Sequence, residues 1–286
     1  MTRSLTAHPH APKIARVTIR LIMSDLDGTL LRDDKTVSAR TRTTLQAARA
    51  AGVRVGIATA RPARLALAAV GHLRDVLDVM VVSNGAVVLD AATGAALHED
   101  LLDPAEATRV ISSLRGVFPD AGFGWELGDH FEGDAAFNEI AQDPRVLRDT
   151  DMGAAREFPA DGVHQLVLAR HNTNPLGLVA PVADVLGPDY AVSESGGGVV
   201  EISPATSTKA AAVTWYAESF GASQANVLAF GDGLNDVPMI RAAGIGVAMA
   251  SASAAIKASA DRIAPTNMDD GVARTIEELV PGVRGE

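Results

Sequence analysis

Short apolar runs punctuate the chain, and each closes on a polar turn. Val17-Thr18-Ile19-Arg20-Leu21-Ile22-Met23 runs into Ser24-Asp25-Leu26-Asp27-Gly28-Thr29, and Val53-Arg54-Val55-Gly56-Ile57-Ala58 into Thr59-Ala60-Arg61-Pro62. Val79-Met80-Val81-Val82 leads to Ser83-Asn84-Gly85, and Asn226-Val227-Leu228-Ala229-Phe230 to Gly231-Asp232-Gly233. Such β-rich runs, ended by turn formers, predict buried strands. Between the first two lies Ser38 to Ala51, whose Ala, Arg, Gln and Leu favour helix, with Ser38 as N-cap and Gly52 as stop. Pro62 suits the first turn of a second helix, a third follows Lys209, and a fourth runs from Asn235 to Ala243. Further strands are expected at Ile245–Met249 and Arg262–Ala264, with a turn and a packed helix in the Ala-rich stretch between them. Strand alternating with helix predicts an α/β fold with a parallel sheet and crossover helices.

From about Val88 the texture changes. Asp90-Ala91-Ala92-Thr93-Gly94 is a turn signal, Pro104 to Leu114 a helix, and Gly122 to Phe131 an irregular stretch holding Trp125 and His130. Val163 to Leu168 alternates like a strand, Pro175 to Leu186 reads as helix, and Tyr190-Ala191-Val192 opens another strand. These features predict a separate α/β insert over 88–196, hinged near Val87 and Gly196-Gly197-Gly198, within a core formed by 16–87 and 197–286. Residues 1–15 are expected to be a frayed tail whose His8 and His10 are solvated.

Composition narrows the class. Of the 286 residues 47% are hydrophobic and 21% charged, with a net charge of −10. That is a globular chain with core to spare. A general nucleic-acid or anionic-membrane binder needs clustered Lys and Arg, so no nucleic acid and no membrane are expected as partners. The chain has no cysteine, which removes disulfides, thiolate zinc sites and thiol nucleophiles and leaves oxygen ligands and carboxylate chemistry. Met1 to Arg16 lacks the apolar core of a signal peptide, and no stretch of eighteen uninterrupted apolar residues occurs, so a cytoplasmic location is expected.

The chemistry sits at the strand ends. Asp25 and Asp27 stand two residues apart where a buried strand closes, the place where α/β enzymes bind ligands. Two buried carboxylates repel one another unless a cation or a substrate group balances them. Gly231-Asp232-Gly233-Leu234-Asn235-Asp236 repeats that logic. Converging, the two clusters offer oxygen ligands suited to Mg²⁺. Thr59 adds a hydroxyl and nearby amides at a helix start, and Lys209 an ammonium able to neutralise phosphate. Each piece also has a bland reading: Asp-rich turns, an Asx cap, a surface lysine opening a helix.

In this order, each after an apolar strand, the pieces resemble the haloacid dehalogenase superfamily of phosphotransferases. Asp25-Leu26-Asp27-Gly28-Thr29-Leu30-Leu31, Ala58 to Arg61, Ser83-Asn84-Gly85-Ala86, Glu201 to Lys209, Gly231 to Asp236 with Pro238-Met239-Ile240, and Asn267 to Ala273 look like its Cof-type branch. The resemblance implies a Rossmann-like doubly wound parallel sheet core with an inserted α/β cap. It implies Asp25 as a nucleophile that becomes an aspartyl phosphate, and Asp27 as general acid and then base, with a pKa raised by its surroundings. Thr59, Lys209 and Asn235 would hold the phosphoryl group; Asp25, Asp27 through its carbonyl, Asp232 and Asp236 would bind Mg²⁺. Asn84, Arg61 and Asn267 match positions near the substrate or the core–cap cleft. His130 is a cap candidate for contacting the leaving group, together with Trp125, Phe131 and Asn138. The family usually has Gly where Ala60 and Ala210 stand.

The expected function is Mg²⁺-dependent hydrolysis of a small phosphorylated metabolite: a sugar phosphate, a nucleotide or flavin-pathway phosphate, or a cofactor phosphate. The alternatives are a phosphomutase of the same superfamily, disfavoured by the short spacing of Asp232, Asn235 and Asp236, and a catalytically retired binding module, disfavoured because Asp25, Asp27, Lys209 and Asp232 are all present. A monomer or weak homodimer is expected.

Overall fold

The computed structural model describes residues 18–143, 146, 152–154, 162–194 and 198–285; the expected tail at 1–15 lies outside them. In chain order the strands and helices begin with β1 (Leu21–Ser24), α1 (Ala39–Ala50), β2 (Arg54–Ala58), α2 (Ala63–Val70), β3 (Val79–Val82), β4 (Val87–Asp90) and β5 (Ala96–Glu99). Then come α3 (Pro104–Val117), β6 (Gly122–Glu126), β7 (Phe131–Gly133), α4 (Ala135–Ile140), β8 (Met152–Ala154), β9 (Gln165–Ala169), α5 (Leu176–Leu186), β10 (Tyr190–Ser193) and β11 (Val200–Pro204). The chain closes with α6 (Lys209–Ser219), β12 (Val227–Gly231), α7 (Val237–Ala242), β13 (Ile245–Met249), α8 (Ala254–Lys257), β14 (Arg262–Ala264) and α9 (Gly271–Leu279).

The first sheet runs β14-β13-β12-β1-β2-β3-β4-β5. Its six strands from β14 to β3 are parallel, and β4 and β5 add an antiparallel hairpin at the edge. Successive residues of β1 go to opposite cores: Ile22 packs with Leu45 of α1 and Ile276 of α9, while Leu21 and Met23 pack with Val213 and Tyr216 of α6. Helices therefore cover both faces, which is why these strands read as continuous apolar runs. Ser38 caps α1 as expected, its hydroxyl accepting from the Thr41 N–H at 3.0 Å. The helix expected from Asn235 to Ala243 instead begins as a 3-10 turn over Leu234–Asp236 and continues as α7 with Pro238 in its first turn, where a missing N–H costs nothing.

The second sheet runs β10-β11-β9-β6-β7-β8. Only β7 and β8 pair in parallel. Helices α3 and α5 cover one face with an apolar core that includes Phe123, Trp125 and Leu166. The stretch from Gly122 to Phe131, expected to be irregular, is largely the antiparallel pair β6–β7. Gly122 and Gly124 hid the strand pattern, and Gly124 is needed because the Phe131 ring lies where a Cβ would project, 2.2 Å from that point. The sheets also divide the chain differently from the expected 88–196 insert: β4 and β5 extend the core sheet, and β11 belongs to the cap sheet. The crossings fall near Asp100 and Ala205.

Candidate active site

The carboxyl ends of β1, β2 and β12 converge on Lys209, the first residue of α6. Its ammonium donates to Asp25 Oδ1 at 2.6 Å and to Asp236 Oδ1 at 2.7 Å, with its side chain 1% exposed. Asp236 turns its other oxygen to the backbone N–H groups of Asp232 and Gly233, at 3.0 and 2.8 Å. Asp232 accepts from the Thr29 hydroxyl at 2.6 Å. Gly28, at φ +80°, lets that carboxylate come close, since a Cβ there would lie 2.5 Å from Asp232 Oδ2. Gly85, at φ +114°, likewise admits the Thr208 carbonyl just before Lys209, 2.4 Å from where a Cβ would stand.

One oxygen from each of Asp25, Asp232 and Asp236 lies within 4.8 Å of the others. Burial, then the charge of Asp236, pushes the Asp25 carboxyl up to about 8 against the pull of Lys209. Burial also raises Asp232, with Thr29 opposing. Lys209 moves upward: burial works against its charge, but Asp236 and Asp25 outweigh it. A single ammonium beside three carboxylates leaves negative charge uncompensated.

Asp27 stands apart from this cluster. Arg61 grips it with two hydrogen bonds, Nε to Oδ2 at 2.6 Å and Nη2 to Oδ1 at 2.7 Å, and Lys35 adds a third at 2.8 Å. The resemblance led us to expect a raised pKa for Asp27. The structure has it lowered: burial pushes upward, but the bonds and charges of Arg61 and Lys35 together prevail.

The remaining expected residues divide. Thr59 is buried at the end of β2, its hydroxyl accepting from the Arg61 N–H at 3.1 Å. Asn84, left-handed at φ +56°, donates to Glu201 of the cap at 2.9 Å and accepts from Asn235 at 3.0 Å, so it ties both sheets to the loop after β12. All of these except Asn84 and Lys209 line a cavity of about 860 Å³ between the sheets. Asn267 lies elsewhere, fastening the turn after β1 by donating to the Leu31 carbonyl at 2.8 Å and to Asp33 at 3.2 Å. His130 is also outside the cavity, at 2.5 Å from Asp129 on the exposed β6–β7 turn. Trp125 faces the covered side of the cap sheet, Asn138 bonds the Gly133 carbonyl, and only Phe131 of the cap candidates lines the cavity.

Several cavity residues were missed. Lys35, Arg64, Glu126 and Gln165 line it, beside Glu201 from the Glu201–Lys209 stretch of the resemblance. Arg64 of α2 pairs with Glu126 of β6 across the two sheets, and Glu201 accepts from Ser193 at 3.0 Å as well as from Asn84. Lys35 lay within reach as one of two cations, with Arg32, in the segment after Asp27; Arg64, Glu126 and Gln165 carry no local signal.

A family model for haloacid dehalogenase-like hydrolases matches residues 22–276, nearly the whole described chain. The chain belongs to the haloacid dehalogenase-like hydrolases. With its inserted α/β cap and relatives named as phosphatases, it is a haloacid dehalogenase-like phosphatase of the Cof-type branch. It is 28% identical to 5-amino-6-(5-phospho-D-ribitylamino)uracil phosphatase YcsE of Bacillus subtilis (strain 168), over 92% of this chain and 97% of that one. It is 30% identical to 5-amino-6-(5-phospho-D-ribitylamino)uracil phosphatase YitU of the same organism, over 90% of this chain and 96% of that one. The crystal structure of a haloacid dehalogenase-like hydrolase from Bacteroides thetaiotaomicron matches at a TM-score of 0.72 and 26% identity, covering 92% of this chain and all of the other. Among the described residues no helix is long and apolar enough to cross a membrane.

Proposed function

We propose that the enzyme hydrolyses a small phosphate monoester with Asp25 as nucleophile, Mg²⁺ as cofactor and an aspartyl phosphate as intermediate. The observation that carries this reading is Lys209 buried between Asp25 and Asp236, beside Asp232, at the mouth of the core strands. The donor set fits a hard divalent cation: one carboxylate oxygen from each of Asp25, Asp232 and Asp236 converges, and their charge exceeds what Lys209 balances. Asp25, Asp232 and the Asp27 carbonyl would hold the ion, with Asp236 steadying the loop. When bound, Mg²⁺ supplies charge stabilisation for the transferred phosphoryl group.

Asp25 Oδ attacks phosphorus, and the bond to the leaving oxygen breaks as Asp27, which takes up a proton from solvent once Arg61 and Lys35 release it, passes that proton to the leaving oxygen. Water then attacks the acyl phosphate, Asp27 takes its proton, and phosphate leaves with Asp25 restored. Lys209 and the Thr59 hydroxyl orient the phosphoryl oxygens, and this positioning is most of what such a reaction asks of a protein. Asp27 reaches the leaving group only when it gives up its contacts with Arg61 and Lys35, two cations that a phosphate can attract. The cap closes the cavity above the site and excludes water. The candidate substrates are a sugar phosphate, a nucleotide or flavin-pathway phosphate, and a cofactor phosphate; the relatives named above favour the second class.

The test is phosphate release from a panel of phosphorylated metabolites, with Mg²⁺ and with chelator, using Asp25→Asn as the blank. Chelator-sensitive release that the variant lacks is the expected result; release that survives both treatments overturns the mechanism.

A further inference from the structure

The cap sheet shows the core a face that differs from its covered one. Antiparallel register lines up Phe131, Glu126 and Gln165 across β7, β6 and β9, all on the cavity side. The carboxylates of this wall are engaged. Glu126 takes Arg64 and the Gly128 N–H at 3.0 Å, and Glu201 takes Asn84 and Ser193. Gln165 is 5% exposed, and its amide nitrogen has no hydrogen-bond partner among the described residues. A buried donor left unmade is costly, and one carried by a residue in the wall of a cavity is a place for a ligand acceptor. Beside these engaged charges part of the wall is apolar: Phe131 packs on Phe137 at 5.3 Å between ring centroids, with Val167 and Val199 in the same cluster. At about 860 Å³ the cavity holds far more than a phosphoryl group.

We infer that Gln165 is a specificity-determining residue: its amide nitrogen donates to an oxygen on the leaving group of a ring-bearing phosphate monoester whose ring lies against Phe131. The inference rests on the phosphatase reading above. A flat ring covers an aromatic and aliphatic wall without stranding polar atoms, whereas a short or open-chain polyol phosphate presents hydroxyls that this wall does not meet.

The experiment compares uridine 5′-monophosphate and flavin mononucleotide with glycerol 3-phosphate and phosphoglycolate, in the full-length enzyme and in Gln165→Leu and Gln165→Met. At least one ring-bearing ester is expected to exceed both short esters about tenfold in kcat/KM. Both variants should lower that value about fivefold or more, through KM, and leave the short esters within about twofold. Faster turnover of the short esters, or an equal effect on all four, overturns the inference while leaving the phosphatase reading intact. If no ester releases phosphate, the phosphatase reading falls, and calorimetric binding of the four compounds to Asp25→Asn, with and without Gln165→Leu, decides the inference by itself. Tighter binding of a ring-bearing ester that is lost with Gln165 supports it, and indifferent binding overturns it.

Discussion

At the strand ends of the core, each charged side chain is held by another: Lys209 by Asp25 and Asp236, Asp232 by Thr29, Asp27 by Arg61. On the cap face opposite, carboxylates are likewise engaged, but the Gln165 amide nitrogen has no partner among the described residues, and much of the surface is apolar. The difference separates two tasks. A preorganised charge cluster suits one kind of chemistry regardless of what carries the phosphate, whereas a mostly apolar wall with an amide donor unmet among the described residues is suited to selecting by shape and a single bond.

The comparison breaks most visibly at Asp25. Asp25→Asn is expected to cut phosphate release by at least about a thousandfold, with the far-ultraviolet spectrum unchanged; near-native turnover would remove the core cluster from the chemistry. Lys209→Ala strips from Asp25 and Asp236 the cation that pairs with both, so urea unfolding in the absence of metal should show a loss of about 3–5 kcal/mol. A loss below about 1 kcal/mol would mean that the triad is not held as charges.

Arg64→Ala tests the tie between the regions. Glu126 is already raised, chiefly by burial, with Arg64 pulling it down. Without Arg64 the variant should lose about 2–3 kcal/mol at neutral pH. A carboxyl raised in the folded state weakens stability as pH climbs above its ordinary value, so this penalty should shrink as pH falls towards 4.5 and Glu126 protonates. A pH-independent penalty would point to lost packing instead.

The smallest effect is expected far from the cavity. Glu277 accepts from Arg40, Thr44 and the Gly285 N–H, and the Arg40 bond leads the causes that hold it down at about 2. Glu277→Gln should cost about 1 kcal/mol at neutral pH. For a lowered carboxyl the contribution is present above its ordinary value and is lost between about 4.5 and 2, so the two melting curves should converge in that window. Unchanged phosphate release would mark it as an engaged core carboxylate outside the site.

Much of the core site was legible because each piece is local. Asp25 and Asp232 follow strands whose ends a turn fixes, Thr59 closes β2, and Lys209 opens α6 behind the Thr208 cap. Asn267 matched a motif yet serves the turn after β1, and His130 matched only an irregular-looking stretch that folds as a hairpin. Arg64, Glu126 and Gln165 gave no signal, since each matters only through a partner or a cavity contributed by distant chain; Glu201 was met only as the start of a motif stretch.

The sequence by itself determined the α/β alternation, the helix starts and the acidic strand ends, because strand, turn and cap chemistry are settled by neighbours a few residues away. Tertiary structure alone decided which cap residues face the cavity. β6 and β9 are buried on both sides, so neither burial nor hydrophobicity distinguishes Trp125 and Leu166, under the cap helices, from Glu126 and Gln165, over the cavity. Adjacent side chains of a strand point to opposite faces, and only the packing of α3 and α5 against one of them sets which face remains for a ligand.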